Sequence, residues 1–151
     1  MNFREIIKAW LPVFLWMALM FFGSTDLMSS EHTSRFLTPL LRWWNPDISP
    51  AAVAQVHFFV RKAAHLTEYA ILAVLLYRAL RGWIDEFWRR VALTVAWAMI
   101  FAAADEFHQS FVASRTASLG DVLLDCSGML LGLIICATTW RRNSTGKRRS
   151  S

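Results

Sequence analysis

The sequence predicts an all-α integral membrane protein, a bundle of four transmembrane helices with an interfacial segment between the first and the second. Three observations predict it. The composition is 56% apolar with eight tryptophans and eleven phenylalanines, too rich in large apolar side chains for an ordinary soluble domain of 151 residues. Four segments, roughly residues 6–23, 62–81, 90–111 and 119–140, approach the ~20 mostly apolar residues that cross a bilayer core. Lys and Arg are also shared unevenly between the two sides that such a topology creates.

The first span, "WLPVFLWMALMFF", follows Arg4 and Lys8 in the manner of a signal peptide. The "FGST" after it is a poor small-x-small cleavage site, so a retained span is expected. Residues 24–61 form a longer connection in which Pro39, Pro46 and Pro50 are expected to act as breaks, with "FLTPLLRWW" at the interface and Trp43 and Trp44 at headgroup level. Ser49 and Pro50 give a helix start, Ser as cap and Pro at the first helical position, and that helix is expected to run into the second span. The first and last spans are clean. The second carries Lys62, His65 and Glu68 and the third ends in "DEFHQSF", so each has a polar end that needs a reason. Residues 1–140 read as a single transmembrane domain and 141–151, with "RRNSTGKRR", as a basic cytoplasmic tail.

With the N-terminus inside, eleven Lys and Arg residues fall on the inner side and five, Arg35, Arg42, Arg61, Lys62 and Arg115, on the outer side. The positive-inside rule then places both termini in the cytoplasm. The net charge of +5 does not indicate nucleic acid, because the basic residues lie at segment ends and in the tail rather than along one mixed face. Cys126 and Cys136, ten residues or about 15 Å apart on one helix, cannot pair with each other and read as small packing residues.

This topology brings the unusual polar groups to one side. Lys62, His65, Glu68 and Tyr69 lie at the outer end of the second span, Asp105, Glu106, His108 and Gln109 at the outer end of the third, and Asp121 and Asp125 at the outer start of the fourth. Arg115 sits in the connection between the last two. At about 100° per residue Lys62, His65 and Tyr69 fall within roughly 60° of one another, with Glu68 about 60° beyond His65. Asp105, His108 and Gln109 cover about 100°, and Glu106 points toward the edge beside Gln109. Asp121, Asp125, Gly128 and Gly132 form a narrow stripe, whose glycines permit a neighbouring helix to come close. Any one of these residues can be explained by snorkelling or by charge pairing; their convergence from three helices points to a site.

Three chemistries fit such a cluster. Glu68, Asp105, Glu106, Asp121 and Asp125 with His65 and His108 can bind a divalent cation, and Asp105 with His108 repeats the i, i+3 carboxylate–histidine spacing of metal-binding bundles, although Lys62 and Arg115 compete for the same carboxylates. Alternatively Lys62 and Arg115 hold an anionic headgroup while Tyr69, Gln109, Asp121 and Asp125 line the substrate. In that case His108, with Asp105 and Glu106 beside it, or His65 with Glu68, serves as general acid or base in transfer on a lipid or lipid-linked envelope intermediate. Ser110, Ser114, Thr116 and Ser118 lie nearby, but their spacing picks out no nucleophile. A cluster that binds without reacting, as a scaffold or partner subunit, is equally compatible. The bilayer is the partner the composition names; no cofactor and no protein partner can be read from the residues.

The segments "KAAHLTEY" at 62–69, "DEFHQSF" at 105–111, Arg115, and "DVLLDCSG" with Gly132 resemble the VanZ-like family of small bacterial membrane proteins, named for an accessory protein that lowers susceptibility to the glycopeptide teicoplanin. The resemblance covers residues 62–132, about half the chain, and its order and spacing agree across three helices. It implies a membrane location and a link to glycopeptide resistance or the cell envelope, and it implies no established reaction. One departure is visible: Ala113-Ser114 stand where the family writes Pro-Gly, so the turn presenting Arg115 is less constrained by its own sequence.

Overall fold

The structure, a computed structural model, describes residues 2–23, 30–109 and 119–148, and all of the regular elements among them are α-helices. They are α1 Phe3–Gly23, α2 Ser30–Trp44, α3 Pro50–Leu80, α4 Phe87–Gln109 and α5 Leu119–Arg148. α1, α3, α4 and α5 are each long and apolar enough to cross a membrane; α1 and α5 contain the first and last expected spans, α3 covers the second up to Leu80, and α4 covers the third up to Gln109, the rest of that span lying outside the described residues. α5 continues beyond residue 140 into the basic segment.

Local sequence sets the helix starts. Asn2 and Glu5 cap α1 reciprocally, Asn2 Oδ1 accepting from the Glu5 amide at 3.0 Å and the Asn2 amide donating to Glu5 Oε2 at 3.1 Å. α3 starts as its sequence dictates: Ser49, extended at φ −70° and ψ 150°, accepts from the Ala52 amide at 3.2 Å, and Pro50 takes the position where a missing N–H costs nothing. The helix then runs 31 residues without interruption, about 46 Å at 1.5 Å per residue, well beyond the ~30 Å hydrocarbon core. Lys62 and His65 therefore lie in the body of a helix rather than at its first turn.

Pro39 does not break the connection as expected; it lies inside α2, as Pro12 lies inside α1. A proline removes a single i→i−4 hydrogen bond, and the residues around Pro39 continue the helix on either side of that loss. α2 packs on the first turns of α3, where Thr38 Oγ1 meets His57 Nε2 at 3.2 Å. Its other face leaves Phe36, Leu40, Trp43 and Trp44 exposed, as suits a segment at the interface.

α3 is the axis of the bundle, packed against each of the other four helices and most extensively against α5. Its buried residues Leu72, Ala73, Leu76 and Ala79 meet Val13 and Met20 of α1, Ala98 and Ala102 of α4 and Met129 of α5 in one apolar core. Glycine sets the closeness of the α3–α5 contact: a Cβ on Gly128 would overlap the Leu66 carbonyl oxygen, and one on Gly132 would overlap that of Ala70. At the opposite end of α3 from Lys62, Arg90 is 5% exposed and folds over the α3–α4 turn. It donates to the Ile84 carbonyl from Nε (2.9 Å) and from a terminal nitrogen (2.6 Å), to the Asp85 carbonyl (3.0 Å) and to the Tyr77 hydroxyl (3.2 Å).

Candidate functional site: a polar cluster between α3, α4 and α5

Two polar rungs join α3 to α5 beside the close crossing. Lys62 pairs with Asp121, and one turn deeper His65 Nδ1 lies 3.3 Å from Asp125 Oδ1. The imidazole and the aspartate are both short, and a close crossing favours their meeting. Gly128, three residues from Asp125, lies against the backbone of Leu66, the residue after His65, and supplies that closeness. Asp121 and Asp125 are 4% and 1% exposed, so each is a buried carboxylate with a basic partner, the condition under which such burial is tolerated.

A second cation joins the upper rung. One terminal nitrogen of Arg61 lies 3.8 Å from Asp121 Oδ2, while its Nε is buried with no hydrogen-bond partner among the described residues. The Arg61 and Lys62 side chains retain 34% and 25% of their exposure, so they mark the accessible mouth of the cluster. The Lys62 Nζ also lies 5.2 Å from the centre of the Phe58 ring. Arg61 was not singled out in the sequence. On a helical wheel it is about 100° from Lys62, and only its adjacency to that lysine and the reach of its side chain hint at the contact.

α4 contributes the third wall. Arg90, Thr94, Ala98, Ala102 and Asp105 are the buried face of this helix, and Asp105 is 5% exposed at its polar end. Glu106 lies within electrostatic range of Asp105, Asp121, Asp125 and His65. The His108 ring stacks on Phe21 of α1, with centroids 4.4 Å apart and planes 30° from parallel, and its Nε2 is buried without a partner among the described residues. Among the described residues, the histidine that meets a carboxylate is His65.

Tyr69 is 1% exposed and lies within range of the charges of Glu68, Asp105, Glu106 and Asp125, yet its hydroxyl has no hydrogen-bond partner among the described residues. The Glu68 side chain is half-buried, and the Glu68 carbonyl accepts from Trp16 Nε1 at 3.0 Å, which ties α1 to α3 at this depth. Arg115 and the serines and threonine near it lie outside the described residues. Gln109 ends α4, and its side chain is likewise outside them. Among the described residues no three His, Cys, Asp or Glu side chains are arranged around one point as metal ligands, and the two cysteines are unpaired thiols.

Four apolar helices and a buried polar cluster define a multi-pass α-helical membrane protein with buried carboxylates gathered at one end of the bundle and Arg90 buried at the other. The chain belongs to the VanZ/LLP1 family, whose family model matches residues 9–141, from α1 through the apolar part of α5. Comparison with curated proteins and with solved structures returned no match.

Proposed function

We propose that this is a bacterial cytoplasmic-membrane protein, both termini inside, whose polar cluster opens toward the outer leaflet and binds the phosphate-bearing headgroup of an anionic envelope component. The observation that carries the reading is Arg61: a guanidinium at the mouth, beside Lys62, with a buried Nε that no described acceptor satisfies. Guanidinium donors seek paired anionic oxygens, and a phosphate supplies them without displacing Asp121 from Lys62. Arg115, in the connection between α4 and α5, is the third cation of the proposed site. The excess of Lys and Arg at the opposite end of the spans supports the orientation.

In this reading the site also acts on glycopeptide susceptibility, and the test is genetic. In a glycopeptide-sensitive bacterium carrying the gene, Arg61→Ala, Lys62→Ala and Arg115→Ala remove any change in teicoplanin susceptibility while the protein still accumulates in the membrane. A phenotype retained by all three variants sinks the reading.

The His65–Asp125 pair favours a second reading, a lipid-headgroup hydrolase or transferase. A carboxylate on Nδ1 fixes the imidazole tautomer and leaves Nε2 to move a proton. Purified protein would then turn over an envelope lipid, and His65→Ala would stop it. Identical lipid profiles with and without the gene discard this reading and leave binding alone.

A further inference from the structure

The cluster is polarised along its depth. Its mouth holds the cations Arg61 and Lys62, whereas at its floor, about 10 Å further along α3, Tyr69 lies within range of the Glu106 carboxylate. Asp121 is matched by Lys62 and Asp125 by His65, but Glu106 has no basic partner within ion-pair distance among the described residues. A phosphate drawn to the mouth would be repelled by that floor.

Tyr69 supplies the second observation. A buried hydroxyl that makes no hydrogen bond ordinarily costs on the order of 1–3 kcal/mol, and such groups call for a partner that the bare protein does not provide. Here the hydroxyl lies within range of the Glu106 carboxylate, which has no basic partner within ion-pair distance among the described residues, so the partner that gains most is a cation with N–H donors. It can donate one hydrogen bond to the Tyr69 oxygen and another to Glu106 while offsetting the surplus negative charge.

Resting on the headgroup reading above, we infer that the ligand carries a primary ammonium group as well as a phosphate. Tyr69 Oη and the Glu106 carboxylate bind the ammonium, and Arg61 and Lys62 bind the phosphate. The substrate class is an amine-bearing phospholipid headgroup, and the Glu106 carboxylate at the floor is what distinguishes it from an amine-free anionic lipid.

The test uses the full chain in detergent, offered equal amounts of phosphatidylethanolamine and phosphatidylglycerol, with bound lipid counted by native mass spectrometry. The wild type should retain the ethanolamine lipid about tenfold better, the worth of one hydrogen bond to a charged group. Tyr69→Phe and Glu106→Gln should each erase the preference without erasing binding. Because the Tyr69 hydroxyl has no hydrogen-bond partner among the described residues, Tyr69→Phe should melt no lower than the wild type, which separates loss of a ligand contact from loss of fold.

Equal retention of both lipids by the wild type, or a preference that survives in both variants, overturns the ammonium subsite and leaves the phosphate reading standing. Retention of neither lipid, or undiminished retention of both by Arg61→Ala/Lys62→Ala, overturns the phosphate reading and the subsite with it.

Discussion

Asp125 Oδ1 lies 3.3 Å from His65 Nδ1 across the α3–α5 seam, and Gly128, whose missing side chain leaves room for the Leu66 carbonyl, lets the two helices come that close. The glycine and the polar rung are therefore one device. Backbone contact sets the separation, and the separation lets two short side chains meet in a place where neither is tolerated alone.

Gly128→Ala tests that coupling. The added methyl meets a backbone carbonyl that cannot rotate away, so α5 must shift, at a cost of about 1–3 kcal/mol. Gly23→Ala places its methyl where nothing lies within 4 Å and should leave stability unchanged. Thermal unfolding of both variants in the same detergent gives the comparison; equal melting temperatures contradict it.

The Lys62–Asp121 rung predicts an asymmetric cycle. Asp121→Ala leaves Arg61 and Lys62 facing each other without their shared counter-ion, whereas Lys62→Ala leaves Asp121 with Arg61 at 3.8 Å and costs less. The double variant should be more stable than the two single losses sum to, by about 1–3 kcal/mol of coupling. Additive losses would mean that the pair contributes nothing beyond its separate side chains.

At the other end of α3, Arg90→Lys should destabilise by about 1–3 kcal/mol, because an ammonium cannot reproduce a fork that satisfies two carbonyls and the Tyr77 hydroxyl together. Tyr77→Phe removes one of those bonds and keeps the ring under Arg90, so about 0.5–1.5 kcal/mol is expected. If the tyrosine change is the more costly, the clamp is not what holds this turn.

Topology is open to direct labelling. With Cys126 and Cys136 replaced by Ala, a cysteine at exposed Trp43 should react with a membrane-impermeant maleimide on intact cells, and one at exposed Trp83 only after lysis. The reverse pattern would turn the protein over and put the polar cluster at the inner leaflet.

The sequence made some of this legible, and the limits have physical causes. Lys62, His65, Tyr69, Asp121 and Asp125 could be read because each group shares one helix face and because the Gly128–Gly132 stripe announces a close neighbour. The α3 start could be read because Ser49 and Pro50 act locally. What stayed hidden depends on which helix neighbours which. Glu106 lies within electrostatic range of Asp121 and Asp125 of α5 while His108 stacks on Phe21 of α1, and nothing in a single sequence says which helix stands near which residue. Arg90 reads as one more interfacial charge until the α3–α4 turn folds its carbonyls toward it, and Pro39 reads as a break because only the helix around it shows that one lost hydrogen bond is tolerated.

The central claim is that the mouth of this cluster holds a headgroup. A high-resolution experimental structure of the protein purified with native lipid tests it most directly. The account predicts density for a phosphate between the Arg61 guanidinium and Lys62, with its acyl chains leaving toward the bilayer. A cluster closed on itself, every cation paired to a carboxylate and no density at Arg61, would contradict it.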